Sequence, residues 1–371
     1  MPRKVLDAVT EHLDLEASLG GYEAAEARTD RISSVYDAIA RLTGADARNV
    51  ALVENATAAF QQALSSVPFR PGDVVLTTRH DYVSNQIMYL SLARRFGVEV
   101  VRAPDAPEGG VDVDAMAKAI HRRQPRLVAV THVPTNSGLV QDVETIGRLC
   151  RERDVLYLVD ACQSVGQMPV DMVEIGCDFL SATSRKFLRG PRGTGFLIVS
   201  DRVLDAGLEP LFPDLRGADW IDDDLYQPAP DGRRFENWEF SYALVLGMGA
   251  AAELALQVGL EATSTRARSL ARRARGLLAE LPGVQVLDRG PELCAIVTIH
   301  VEDRDPLRLA DDLRSEGIHT SAMSRLSAVL DFDAKGVEGA LRISPHYYNT
   351  EDEVDRLVEA LQRLVRSAPS L

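Results

Sequence analysis

At 371 residues, with 46% apolar and 26% charged side chains, the chain has the composition of a soluble globular protein long enough for two domains. A formal net charge of -14 argues against nucleic acid, whose affinity rests on Lys and Arg neutralising phosphates. No run reaches transmembrane length, Met1-Pro-Arg-Lys-Val5 lacks a signal-peptide core, and the four cysteines show no paired spacing, so reduced thiols, a cytoplasmic setting and no membrane partner are expected.

Through the first two-thirds, helical patterns at 57–67, 84–96, 113–123 and 143–153 alternate with short β-branched runs at 73–78, 98–103, 126–132, 155–161, 178–182 and 194–200. That alternation predicts an α/β fold whose large domain holds a mostly parallel, doubly covered sheet. The segment 212–234, rich in Pro, Asp and Gly, reads as a surface excursion. Beyond Phe240 the pattern becomes one long helix at 241–280, then strands and helices ending with a helix from Thr350: a smaller C-terminal α+β domain. We divide the chain into a large domain, 20–243, and a small one, 1–19 with 244–371. The basic run 266–275 keeps Leu270 and alanines at helical spacing, so it reads as a solvated helix face.

In such sheets ligands sit at the carboxyl ends of the strands, and the chemistry-bearing residues fall there. Asp160 ends the apolar run Val155-Leu-Tyr-Leu-Val-Asp160. A carboxylate in that setting needs a partner: a helix N-terminus, a structural ion pair, or a protonated pyridine nitrogen. Lys186 follows the next strand, in Thr183-Ser-Arg-Lys186-Phe-Leu-Arg-Gly190-Pro-Arg-Gly193-Thr-Gly195. Alone it would be a surface lysine; after a buried strand, with Asp160 upstream, its amine is placed to form a Schiff base with an aldehyde. Amine and carboxylate together read as the site of pyridoxal 5'-phosphate (PLP), whose ring becomes an electron sink when its nitrogen stays protonated.

The remaining motifs are weaker alone. Glu54-Asn55-Ala56-Thr57 opens a helix whose N–H groups suit a phosphate, or is an ordinary cap. Thr183 adds a hydroxyl, Tyr82 a ring that could stack on a planar group, and Gln163 a donor to a phenolic oxygen. Asn136, in a loop directly after a strand, can bond a cofactor or substrate oxygen. Arg342, alternating with apolar residues, suits a carboxylate fork or is an exposed strand residue. The seven histidines show no metal-type spacing, so no metal is expected.

Taken together, these motifs resemble the class V aminotransferase family of fold-type I PLP-dependent enzymes, which includes cysteine desulfurases, isopenicillin N epimerase-like proteins and C–S lyases. The resemblance spans nearly the whole chain. It implies that Lys186 carries the Schiff base, Asp160 partners the ring nitrogen, Gln163 contacts the phenolic oxygen and Tyr82 stacks on the ring. It places Ala56, Thr57 and Thr183 on the phosphate, and Asn136 and Arg342 on the carboxylate of an amino-acid substrate. Tyr22 and Trp238 are candidate walls of the substrate pocket, and a homodimer is implied, with sites at the subunit interface.

Within the family, Leu19-Gly-Gly-Tyr-Glu23, the lysine segment, Arg234-Phe-Glu-Asn-Trp-Glu239 and His346-Tyr-Tyr-Asn-Thr350 look most like the lyase and epimerase-like branch. Four departures stand out. Many relatives have His where this chain has Arg185. Many have Gly-Thr where Asn237-Trp238 stands, the threonine reaching the neighbouring subunit's phosphate. The segment 321–327 lacks the cysteine that desulfurases carry in that part of the chain. Relatives also open with a short strand and turn, whereas this chain starts in the helix that follows, so that segment is absent or translation begins upstream. The expected reaction is C–S β-elimination from a cysteine thioether or sulfoxide, giving pyruvate, ammonia and a thiol or sulfenate. Transamination and epimerisation use the same lysine and sink; desulfuration and a non-catalytic PLP-fold role fit less well.

Overall fold

The computed structural model describes residues 1–366. Seven short strands, β1 (Val50–Val53), β2 (Val74–Thr77), β3 (Glu99–Arg102), β4 (Leu127–Thr131), β5 (Leu156–Asp160), β6 (Phe179–Thr183) and β7 (Gly195–Val199), form one sheet in the order β1-β7-β6-β5-β4-β2-β3. β3, β2, β4, β5 and β6 run parallel, and β7 is antiparallel to both β6 and β1. Side chains along β4 alternate between two cores: Val128 and Val130 pack with Val159 and Ala182, Leu127 and Ala129 with Leu158 and Phe179. Both faces are therefore dry, which is why the strands read as continuous apolar runs. β1 escaped the sequence reading because four apolar residues carry no period that separates strand from helix.

The expected helices form at Ala56–Ser66, Val83–Phe96, Val113–Arg123 and Val143–Glu152. Asn55, Asp112 and Asp142 each accept the N–H three residues on, satisfying a donor the helix itself leaves free. In 212–234 the chain makes an exposed hairpin, β8 (Ala218–Asp222) with β9 (Leu225–Pro228).

The long helix expected at 241–280 is two helices, Tyr242–Val258 and Leu260–Ala279, bent by 81°. The break is Gly259 at φ 87, a backbone conformation that costs glycine little and other residues much. Tyr242–Val258 packs against the helices Arg3–Leu19 and Thr29–Thr43. A Cβ at Gly247 would stand 2.6 Å from Val9, and one at Gly249 2.7 Å from Val35, so the glycines set how closely these helices approach.

The C-terminal sheet is antiparallel, in the order β10 (Val284–Val286), β11 (Val297–Val301), β13 (Gly339–Ile343), β12 (Ser321–Ser324). β12 occupies the first half of the segment 321–327, which the sequence reading did not place on a strand. As an edge strand with only Met323 buried, it lacks the apolar alternation that marks a strand. The basic run 266–275, read as a solvated helix face, instead pairs much of its charge: Arg266 meets Glu351, Arg273 meets Asp355, and Arg275 is drawn in against the buried carboxylate of Asp288. The last helix spans Glu351–Arg366; positions 367–371 of the range 244–371 lie outside the described residues.

Candidate active site

A cavity of about 190 Å³ opens at the carboxyl ends of β4, β5 and β6, where parallel strands splay and helices begin. Thr57, Tyr82, Asn85, Asp160, Thr183 and Lys186 wall it, with Ala56 and Gln163 beside them. A larger cleft, about 1100 Å³, lies elsewhere and contains neither Lys186 nor Asp160; Asp112, Asp142 and Asp171 in its wall cap helices.

Asp160 is buried, yet its carboxylate is aimed. Oδ1 accepts the N–H of Cys162 at 3.0 Å and Oδ2 the amide of Asn85 at 3.0 Å, leaving lone pairs on the cavity side. Asn85 is held in turn by Asp81 at 3.1 Å. Asp81 also accepts from Thr77 and Tyr89, each at 2.8 Å, from the Thr131 hydroxyl, and from the N–H of Tyr82 at 2.8 Å. Burial pushes Asp81 above the ordinary carboxylate range, and the bonds from Thr131, Tyr89, Asn85 and Thr77 pull against it. One carboxylate thus fixes both the Tyr82 backbone and the Asn85 amide that steadies Asp160. Sequence reasoning missed Asp81 and Asn85, although their i, i+4 spacing at a helix start was a usable signal.

Lys186 is half-buried, with Nζ 5.8 Å from the centre of the Tyr82 ring. Turned so that its amide oxygen faces its donors, Gln163 accepts from Thr135 Oγ1 at 2.9 Å, Lys186 Nζ at 3.1 Å and Arg342 Nη1 at 3.3 Å. Arg342 also donates to the carbonyl of Thr135 at 3.1 Å and to Ser344 Oγ at 2.9 Å, and burial draws its guanidinium down to about 10. Arg342 therefore reaches the cavity wall from β13 of the C-terminal sheet. Arg185, noted earlier only as a departure, is exposed and lines the same cavity.

Asn136 stands beside this group, but its amide donates to Asp331 Oδ2 at 2.6 Å instead of facing the cavity. Asp331 also pairs with Lys335 at 2.7 Å. Tyr22 and Trp238 are not at the cavity within this chain. They line a separate cleft of about 650 Å³ with Tyr36, Arg216 and Tyr242. Tyr22 belongs to the amino-terminal helix Gly21–Ala27, and the Trp238 N–H is taken by Asp214.

The donor set fits PLP. Ala56 and Thr57 open the helix Ala56–Ser66, where Asn55 satisfies the N–H of Ala58 and the first-turn N–H groups remain for a phosphate. The Thr57 hydroxyl adds a further donor there, whereas the Thr183 hydroxyl, expected on the phosphate, donates to the Thr194 carbonyl at 3.2 Å. Across the cavity, Asp160 can hold a ring N–H, Tyr82 can cover a ring face, and the Lys186 amine can take the aldehyde.

A family model described as aminotransferase class V matches residues 1–357. A probable cysteine desulfurase of Methanothermobacter thermautotrophicus is 28% identical, across 98% of this chain and 92% of that protein. A probable hercynylcysteine sulfoxide lyase of Mycobacterium tuberculosis is 30% identical, across 96% of this chain and 85% of that protein. Among solved structures, the apo cysteine desulfurase of Thermococcus onnurineus NA1 superposes with a TM-score of 0.89 at 23% identity, covering 99% of this chain and 92% of that one. The cystine C–S lyase C-DES, in complex with cysteine persulfide, gives 0.87 at 23%, covering 100% and 95%. The chain belongs to the class V aminotransferase family and is a fold-type I, PLP-dependent enzyme.

Proposed function

We propose that the enzyme is a C–S β-lyase, cleaving a cysteine thioether or sulfoxide to pyruvate, ammonia and a thiol or sulfenate. The observation that carries this reading is the state of the four cysteines. Desulfuration through an enzyme persulfide needs an accessible thiolate. Cys150, Cys162, Cys177 and Cys294 are all buried, and burial pushes each thiol upward, Cys294 to about 11 and the others further. The segment 321–327 offers serines, Arg325 and Leu326 instead. β-Elimination requires no protein thiol. Its substrate class agrees with the names of the lyase relatives, one acting on a cysteine sulfoxide and one on cystine.

When bound, PLP supplies an electron sink for the pair released at the substrate α-carbon. Asp160 keeps the ring-nitrogen proton in place, its carboxylate steadied by Asn85 and the Cys162 N–H. Arg342 holds the α-carboxylate with its guanidinium fork, reaching in from β13. Lys186 would take the α-proton on Nζ. Sulfur would leave the substrate β-carbon, and hydrolysis of the resulting unsaturated amine would give pyruvate and ammonia. We further propose a homodimer: Phe212 at 81% and Trp220 at 80% exposure, with Leu211 and Leu215, make an apolar surface that a second copy would cover.

The test is pyruvate release, coupled to lactate dehydrogenase, from PLP-loaded protein given a panel of cysteine thioethers and sulfoxides. Pyruvate from any member is expected. Its absence, with cofactor converted to the pyridoxamine form, would replace the lyase reading with an aminotransferase.

A further inference from the structure

The motif His346-Tyr-Tyr-Asn-Thr350 is unused by the chemistry above, yet it reaches the lysine turn from the small domain. His346 is buried, and its Nε2–H donates to the carbonyl oxygen of Phe187 at 2.9 Å. Phe187 directly follows Lys186. On the other side of the ring, Nδ1 accepts the N–H of Tyr347 at 2.9 Å. A carbonyl can only accept and a backbone N–H only donate, so these partners fix a single neutral tautomer. Burial agrees, holding the imidazole down to about 4. The Phe187 and His346 rings also stack, centroids 5.4 Å apart at 30°.

A second clasp holds the end of the same turn. Arg189 adopts φ 65, a left-handed conformation uncommon outside glycine, with its N–H on the Lys186 carbonyl at 2.9 Å. Its guanidinium donates to Tyr347 Oη at 2.6 Å and lies 4.4 Å over the Tyr348 ring. Asn349 Oδ1 accepts the His346 N–H at 2.8 Å, which braces the segment internally. Four residues earlier on this chain segment stands Arg342, the carboxylate fork.

We propose that His346 is a positioning residue for Lys186: its Nε2–H bond to the Phe187 carbonyl sets the direction in which the lysine leaves its turn. The segment 342–348 then spans both the carboxylate anchor and the amine, so the small domain fixes their separation. This rests on the reading of Lys186 as the cofactor-bearing lysine. An error of about 1 Å in reacting groups costs on the order of 10²-fold in rate, so the bond should show in turnover more than in affinity.

The experiment compares wild type with His346→Gln, His346→Asn and His346→Phe, each as holoenzyme. Glutamine places an amide N–H near the Nε2 position; asparagine keeps only an acceptor for Tyr347, and phenylalanine keeps only the stack. Visible circular dichroism of the lysine-bound cofactor and a kcat-against-KM split are read on the best conjugate from the pyruvate panel. His346→Asn and His346→Phe are expected to lose about 10- to 100-fold in kcat with KM within about threefold, and to weaken the dichroic band. His346→Gln is expected to restore both readouts. A wild-type band and kcat in His346→Asn would overturn the proposal, as would a His346→Gln as impaired as His346→Phe. Should His346→Phe fail to fold, His346→Asn decides alone. A wild type without any visible band would instead overturn the role of Lys186.

Discussion

The two ends of the active site are built differently. The cofactor end lies at the carboxyl edge of the seven-stranded sheet: Asp160, Asn85 and Asp81 form a chain of buried hydrogen bonds, with Tyr82 on the same frame. The substrate end is assembled from segments far apart in the chain: Arg342 on β13, with Thr135 and Gln163 in loops of the seven-stranded sheet. The first arrangement preserves a cofactor whatever the substrate. The second leaves the substrate's side chain to segments that vary independently of the sheet. A single scaffold can therefore keep its electron sink while its leaving-group chemistry changes.

Substitutions should separate the two ends. Lys186→Ala removes the proposed proton carrier, so visible absorbance of the lysine-bound cofactor should vanish and kcat fall by at least about 10³-fold. An unchanged spectrum would remove Lys186 from the site. Asp160→Asn keeps the shape but not the charge proposed to hold the ring proton. Turnover should fall about 10²–10³-fold while the cofactor stays bound, read by single-turnover kinetics and absorbance after gel filtration. Arg342→Ala should act on the other end alone, raising KM about 10- to 100-fold through lost charge-assisted bonds, with cofactor affinity unchanged. Equal losses of substrate and cofactor binding would make Arg342 structural.

The smallest effect concerns two buried histidines. Burial holds His132 and His346 down to about 4, below the ordinary histidine value, so the folded chain binds fewer protons than the unfolded one in this window. Their contribution to stability is fully present above the ordinary value and is lost as pH falls through about 6.5 toward 4. Each should cost about 1 kcal/mol between pH 7 and about pH 5.5, measurable by denaturant unfolding. His346→Gln should flatten its share of that slope; an unaltered slope would mean His346 is not the group that titrates.

The cofactor end was legible in the sequence because its chemistry is tied to strand ends. Asp160 closes an apolar run, Lys186 follows the next strand, and Ala56 and Thr57 open a helix, all features of a few consecutive residues. Contacts between distant segments were not legible. Asp81 gathers donors from Thr77, Tyr89 and Thr131, and Asn136 turns to Asp331, far along the chain. Tyr22 and Trp238 shared a motif vocabulary with the site but fold into another cleft. The break at Gly259 was hidden because Gly247, Gly249 and Gly276 sit inside the same helical pattern without breaking it, so a further glycine there is no signal by itself.

The most direct measurement is the product spectrum, by proton NMR, when the PLP-loaded enzyme turns over a cysteine thioether or sulfoxide, with free cysteine run in parallel. Pyruvate and a stoichiometric thiol or sulfenate product, without alanine, are expected from the conjugate. Alanine with sulfane sulfur from free cysteine, and no pyruvate from any conjugate, would contradict the lyase assignment and return the enzyme to desulfuration.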